Sequence, residues 1–183
     1  MKYKIFVLFC LVVLSLSPKK VHATDQTEEK QKNSQKKAEK NVVLVQEILD
    51  DHKDAINKES VDTGIPRAVI VAVIAVESEN KPEAVSSSGA KGLMQTLPTA
   101  DKATGVKCNA KKPACQIKKG TRYIQHLVEK EGIPKWSRIF LAYNEGPAGS
   151  RKFKTPKKVL AHEYVKKCTG YLKIAQAVLA QEF

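Results

Sequence analysis

Three stretches of this chain hold side chains whose types and order could do chemistry together: "ES" at 77–78, "AVSSSGAKGLMQTLPTA" from 84, and "AYNEGP" from 142. Glu77 is the reactive group among them. It directly follows nine apolar residues, "AVIVAVIAV" at 68–76, so its carboxyl stands at the edge of low-dielectric surroundings, where the charged form is disfavoured and the pKa rises. A carboxyl that keeps its proton near neutral pH is a general acid. A glutamate at a helix end is, taken alone, more often merely solvated. The serines, glycines, tyrosine and amides that follow in fixed order are what set this one apart.

Positioning these groups requires a scaffold, and the sequence reads as mainly α. Asn41 can cap an amphipathic helix to about Glu59, with Val42, Val45, Ile48, Leu49 and Ile56 near helical spacing. Pro66 suits the first turn of the next helix. That helix is apolar on every side and is predicted to be central and buried, a buried strand being the rival reading of so much valine and isoleucine. "SSSGAKG" predicts a turn, and "PTADKATG" a short helix from Pro98 to Gly105. Further helices are expected over 116–130, over "KWSRIFLAYNEGP" with a stop at Gly146-Pro147, and over 157–181 with a break at Gly170. No strand pair is convincing.

The first 23 residues, with Lys2 and Lys4, an apolar stretch and then Val21-His22-Ala23, have the pattern of a cleaved export signal; an uncleaved anchor is the alternative. The expected layout is a signal peptide at 1–23, a disordered polar linker at 24–40, with a charge-laced helix as its alternative, and one catalytic domain at 41–183. Cleavage removes four lysines and no acid from a formal net charge of +13, so the remainder stays basic. That field favours an anionic partner, and neither zinc-finger spacing nor an aromatic sheet motif marks a nucleic-acid reader. Cys108, Cys115 and Cys168 would then meet an oxidising compartment, where one disulfide is expected with its pairing open; scattered histidines argue against zinc.

The ordered motifs resemble those of the soluble lytic transglycosylases over about residues 65–165. In that family a Glu-Ser pair, a Ser-x-x-Gly-Ala-x-Gly-Leu-Met-Gln stretch and an Ala-Tyr-Asn-x-Gly-Pro segment form one glycan-binding cleft in a lysozyme-like helical domain. The resemblance makes Glu77 the catalytic acid and base. It implies that Ser86, Met94 and Gln95 contact sugar, and that Tyr143 hydrogen-bonds near the reacting centre with Asn144 supporting it. Met94 as core filling, Ser86 as a turn cap and Tyr143 as a core aromatic are the plainer alternatives. The chain departs from the family pattern at Asn80, where an aromatic is usual, at Gln116 in "QIKKG", where asparagine is usual, and in "LAHEYV", which keeps only Tyr164 and Val165 of a Glu-Thr-Arg-x-Tyr-Val pattern.

Most glycosidases use two carboxylates, and Asp101 is no convincing second. The resemblance implies one glutamate suffices: cleavage between N-acetylmuramic acid (MurNAc) and N-acetylglucosamine (GlcNAc), closing a 1,6-anhydro ring, with no metal or other cofactor. It also implies a monomer in the periplasm or cell envelope acting on peptidoglycan strands, of a size suited to opening gaps for a secretion, conjugation or phage-entry apparatus. Two rival readings are a goose-type lysozyme-like hydrolase and a wall-binding or secretion-scaffold protein that does not cut.

Overall fold

A helix without a polar face must be surrounded, and the second helix, α2 (Arg67–Glu77), is: residues 68–75 are all buried. The computed structural model describes residues 25–129 and 135–182, with side chains from residue 29 onward. The expected signal peptide at 1–23 lies outside these residues. α1 (Asp25–Thr63) and α7 (Glu163–Leu179) both pack on α2 and on each other, while α4 (Pro113–Glu129) packs on α1. α3 (Pro98–Thr104) packs on α4, α5 (Trp136–Ser150) on α4 and α7, and α6 (Pro156–Ala161) on α5 and α7. Among the described residues there is no regular strand, only isolated bridges from Lys91 to Val85 and to Thr96. The mainly α expectation holds, and the rival strand reading of 68–76 falls.

One core joins these elements. Ile48 and Ile56 of α1, Ile70 and Ile74 of α2, Ile117 and Ile124 of α4, Phe140 of α5 and Val165 of α7 are all essentially sealed from solvent. Leu93 and Met94, from the loop ahead of α3, belong to the same cluster. The loop is therefore anchored in the core by its last apolar pair.

Three boundaries differ from expectation. The stretch expected as a disordered linker is helical from Asp25, continuous with α1, although residues 29–40 are exposed. Extending an existing helix avoids the cost of nucleating a new one, so polar residues can follow a buried segment. α5 does not stop at Gly146 but kinks there (φ 69°, ψ 163°) and makes another turn from Pro147. The last helical region breaks at His162 (φ −67°, ψ 130°), not at Gly170. Pro156 and a Thr155 side-chain cap open the short α6, whereas Gly170 costs only about 1 kcal/mol inside a helix that buries Val165, Cys168 and Ala175.

Candidate active site

α2 delivers Glu77 from its last turn, half-buried, where the apolar column ends. Burial drives its pKa up from 4.5 to about 7, against the opposing pull of a hydrogen bond from Tyr164. That bond is short: the Tyr164 hydroxyl donates to Glu77 Oε1 at 2.6 Å. Burial, with the nearby carboxylate, holds the Tyr164 and Tyr143 phenols well above their usual range, so both remain donors. Beneath them the Cys168 thiol, fully buried, is pushed up to about 12 by burial and stays protonated.

The chain leaves α2 through a turn in which Glu79 (φ 50°) and Asn80 (φ 67°) are both left-handed. Asparagine tolerates that conformation better than most residues, and here it is pinned. Its Nδ2 donates to Asp51 Oδ2 at 2.8 Å, which leaves Oδ1 to accept from His52 Nε2 at 2.9 Å. His52 is the residue at which α1 kinks (φ −127°, ψ 18°). Asn80, a departure from the family pattern, thus fixes the turn through a bend in α1 rather than by aromatic packing.

Residues 84–95 follow without regular structure, and side chains from three helices hold them. Ser78, buried at the end of α2, donates to the Leu93 carbonyl at 2.9 Å. The Tyr143 hydroxyl from α5 donates to the Met94 carbonyl at 2.7 Å. Gln116 of α4 accepts from Leu93 N at 2.9 Å through Oε1 and donates through Nε2 to the carbonyls of Pro82 and Ala110, each at 2.9 Å. Close approach requires glycine at two points. A Cβ on Gly92 would run into the Gln116 side chain, and one on Gly120 would lie 2.5 Å from Met94.

The bridge Cys108–Cys115 closes the loop that carries Ala110 and ends immediately before Gln116. It pins the segment holding one acceptor of the Gln116 amide. Gln116→Ala would leave the buried Leu93 N–H unpaired and is expected to cost about 2–3 kcal/mol; Cys108→Ser with Cys115→Ser would cost about 2 kcal/mol. Urea denaturation checks both, with an unchanged m-value expected for Gln116→Ala. The two effects should be less than additive, because they act on one clamp.

The structure distributes the expected site residues unevenly. Glu77 and Tyr143 are close enough that the Glu77 charge contributes to holding the Tyr143 phenol up. Met94 is completely buried and presents its carbonyl to Tyr143. Gln95, itself left-handed (φ 45°), donates from Nε2 to the carbonyls of Ala84 and Gly92, which leaves its Oε1 as the side-chain acceptor. Ser86 Oγ accepts from Ala90 N at 3.0 Å, a turn cap. Asn144 is exposed. Asp101 is tied to Lys119 at 2.5 Å, which accounts for it without a catalytic role. Sequence reasoning assigned no task to Tyr164, Ser78 or Gln116. The first was visible as a tyrosine surviving from a degraded motif, the second as the partner in "ES", the third only as a departure.

Comparison with known proteins completes the picture. A family model described as the transglycosylase SLT domain matches residues 54–165. Among solved structures, the chain is similar to the lytic transglycosylase Slt of Pseudomonas aeruginosa, in an inactive form with glutamine in place of one glutamate. The TM-score is 0.61 with 23% identity, over 70% of this chain and 24% of that one. It is also similar to the 70 kDa soluble lytic transglycosylase of Escherichia coli, with a TM-score of 0.58 and 22% identity over the same shares. At such identities the likeness is one of fold, and the chain spans about a quarter of the length of either structure.

Proposed function

From the chain's membership of the transglycosylase SLT domain family, we propose that it is a peptidoglycan lytic transglycosylase in which Glu77 serves as both acid and base. The observation that carries this reading is a carboxyl held near pKa 7 by burial and oriented by Tyr164 at 2.6 Å. Such a group is part protonated and part ionised at neutral pH, as a residue that must give and retake one proton requires.

The steps follow from that property. Protonated Glu77 gives its proton to the β-1,4 oxygen between MurNAc and GlcNAc, and the C1–O bond breaks. The acetamido oxygen of MurNAc closes on C1 as the leaving sugar departs. Glu77, now a carboxylate, takes the proton of the MurNAc C6 hydroxyl while that oxygen attacks C1 and expels the acetamido oxygen. The product is 1,6-anhydro-MurNAc, the carboxyl regains its proton, and no water is consumed. Tyr164 favours the carboxylate and burial favours the acid, so the two opposing influences keep both forms accessible.

The reading places the protein at the cell envelope, supported by the leader-like first 23 residues and by the bridge Cys108–Cys115, which needs an oxidising compartment. There it would act as a monomer, opening gaps for a secretion, conjugation or phage-entry apparatus. Digestion of purified glycan strands followed by mass spectrometry tests the chemistry. The expected products are lighter by one water than those of a hydrolase; reducing-end products would make the chain a lysozyme-like hydrolase, and binding without products a scaffold.

A further inference from the structure

An open groove of about 440 Å³ lies between α1 and α7, beside the turn that follows Glu77. All its lining residues but Glu79 fall outside the stretch that matches the family. We propose that the groove binds a short peptide carrying both carboxylates and an amine, of the kind that branches from muramic acid, while the glycan lies in the cleft. The inference rests on the reading of the chain as a peptidoglycan enzyme and names the part of the substrate that reading leaves unplaced.

Its floor is built: the Tyr171 hydroxyl donates to Asn41 Oδ1 at 3.0 Å, joining α7 to α1 across the groove. Lys37 and Lys40 line it three residues apart on α1, and therefore on one helix face. Glu47, seven residues further, stands about 10 Å along the same helix, and Glu79 adds a second acid from the turn. Lysines and carboxylates thus line one trough. A neutral sugar has no use for such charges, and a polyanion would be repelled by the acids. A short peptide with carboxylates and a free amine offers a partner to each. The Glu79 pairing with Lys81, at 3.5 Å between two exposed side chains, is a weak competitor for an incoming amine.

The groove is also in reach of the chemistry. Tyr164, bonded to Glu77, and Tyr171, in the groove floor, are seven residues apart on α7, or about 10 Å along its axis. Glu79 lies two residues from the acid itself. The volume falls in the range of roughly 300–1,000 Å³ usual for ligand sites.

The probe is the tetrapeptide N-acetyl-L-alanyl-γ-D-glutamyl-L-lysyl-D-alanine, its amino end capped as it is in its amide link to muramic acid, titrated into the full chain carrying Glu77→Gln and followed by NMR. Shifts centred on Asn41 and Tyr171 are expected, with binding weakened about tenfold by Lys37→Glu combined with Lys40→Glu through loss of charge-assisted contacts. In the active chain the same pair should raise KM about tenfold on peptide-bearing strands and leave kcat, and KM on peptide-stripped strands, unchanged. Absence of tetrapeptide binding, binding indifferent to the charge reversal, or an equal rise in KM on both substrates would overturn the proposal. Cleavage of stripped strands by the unaltered chain reports separately on the transglycosylase reading, while tetrapeptide binding needs no turnover.

Discussion

Glu77→Gln is expected to keep the fold and to lower the rate of strand cleavage by at least about 10³-fold, because one substitution removes both the acid and the base. The amide matches the carboxyl in size, and its oxygen can still accept from Tyr164. Stability should move the opposite way. The carboxyl has a folded pKa of about 7 against an ordinary 4.5, so the native state holds the proton more tightly than the unfolded chain. Below pH 4.5 both states are protonated and Glu77 imposes no penalty. As pH rises from 4.5 to 7 the unfolded chain ionises first, and native stability falls by about 3 kcal/mol in all. The glutamine variant therefore gains that amount over the wild type at pH 8 and nothing at pH 4, which paired urea titrations would read. Comparable cleavage by the variant, or a gain independent of pH, would remove Glu77 from its role.

Tyr164→Phe separates orientation from acidity. Its hydrogen bond to Glu77 pulls against burial, so removing the hydroxyl leaves burial unopposed and moves the Glu77 pKa further up from about 7. The alkaline limb of the pH–rate profile should shift to higher pH. Meanwhile kcat should fall about 10–100-fold, the equivalent of one lost hydrogen bond to a charged group. A lower rate with an unmoved limb would mean that Tyr164 supports only the packing. Since Tyr164 follows His162 by two residues, the break between α6 and α7 is what points it inward.

Where a property depended on one residue and its near neighbours, the sequence made it readable. The all-apolar run 68–76 located the central helix and placed Glu77 at its end, and Pro98 with Gly105 bounded α3. What escaped were long-range pairings of side chains with loop backbone. Gln116 holds residues 82–93 from up to 34 positions away, and Tyr164 meets Glu77 from 87 positions away; no local period encodes either. The helical state of 25–40 stood only as the alternative for a different reason. Composition measures what a segment can bury, whereas here continuity with a helix that is already buried decides the matter. The motif left Met94 between sugar contact and core filling; its side chain is buried in the core and its carbonyl anchors Tyr143.

Because α2 is enclosed on every side, its rotation about its own axis is not adjustable. Inserting or deleting a single residue within it would turn Glu77 by about 100°, away from Tyr164, and would at the same time carry Asn80 off its anchor on α1. Phase, more than composition, is what this helix must preserve: the valines and isoleucines can exchange for one another at modest cost, but their number cannot change.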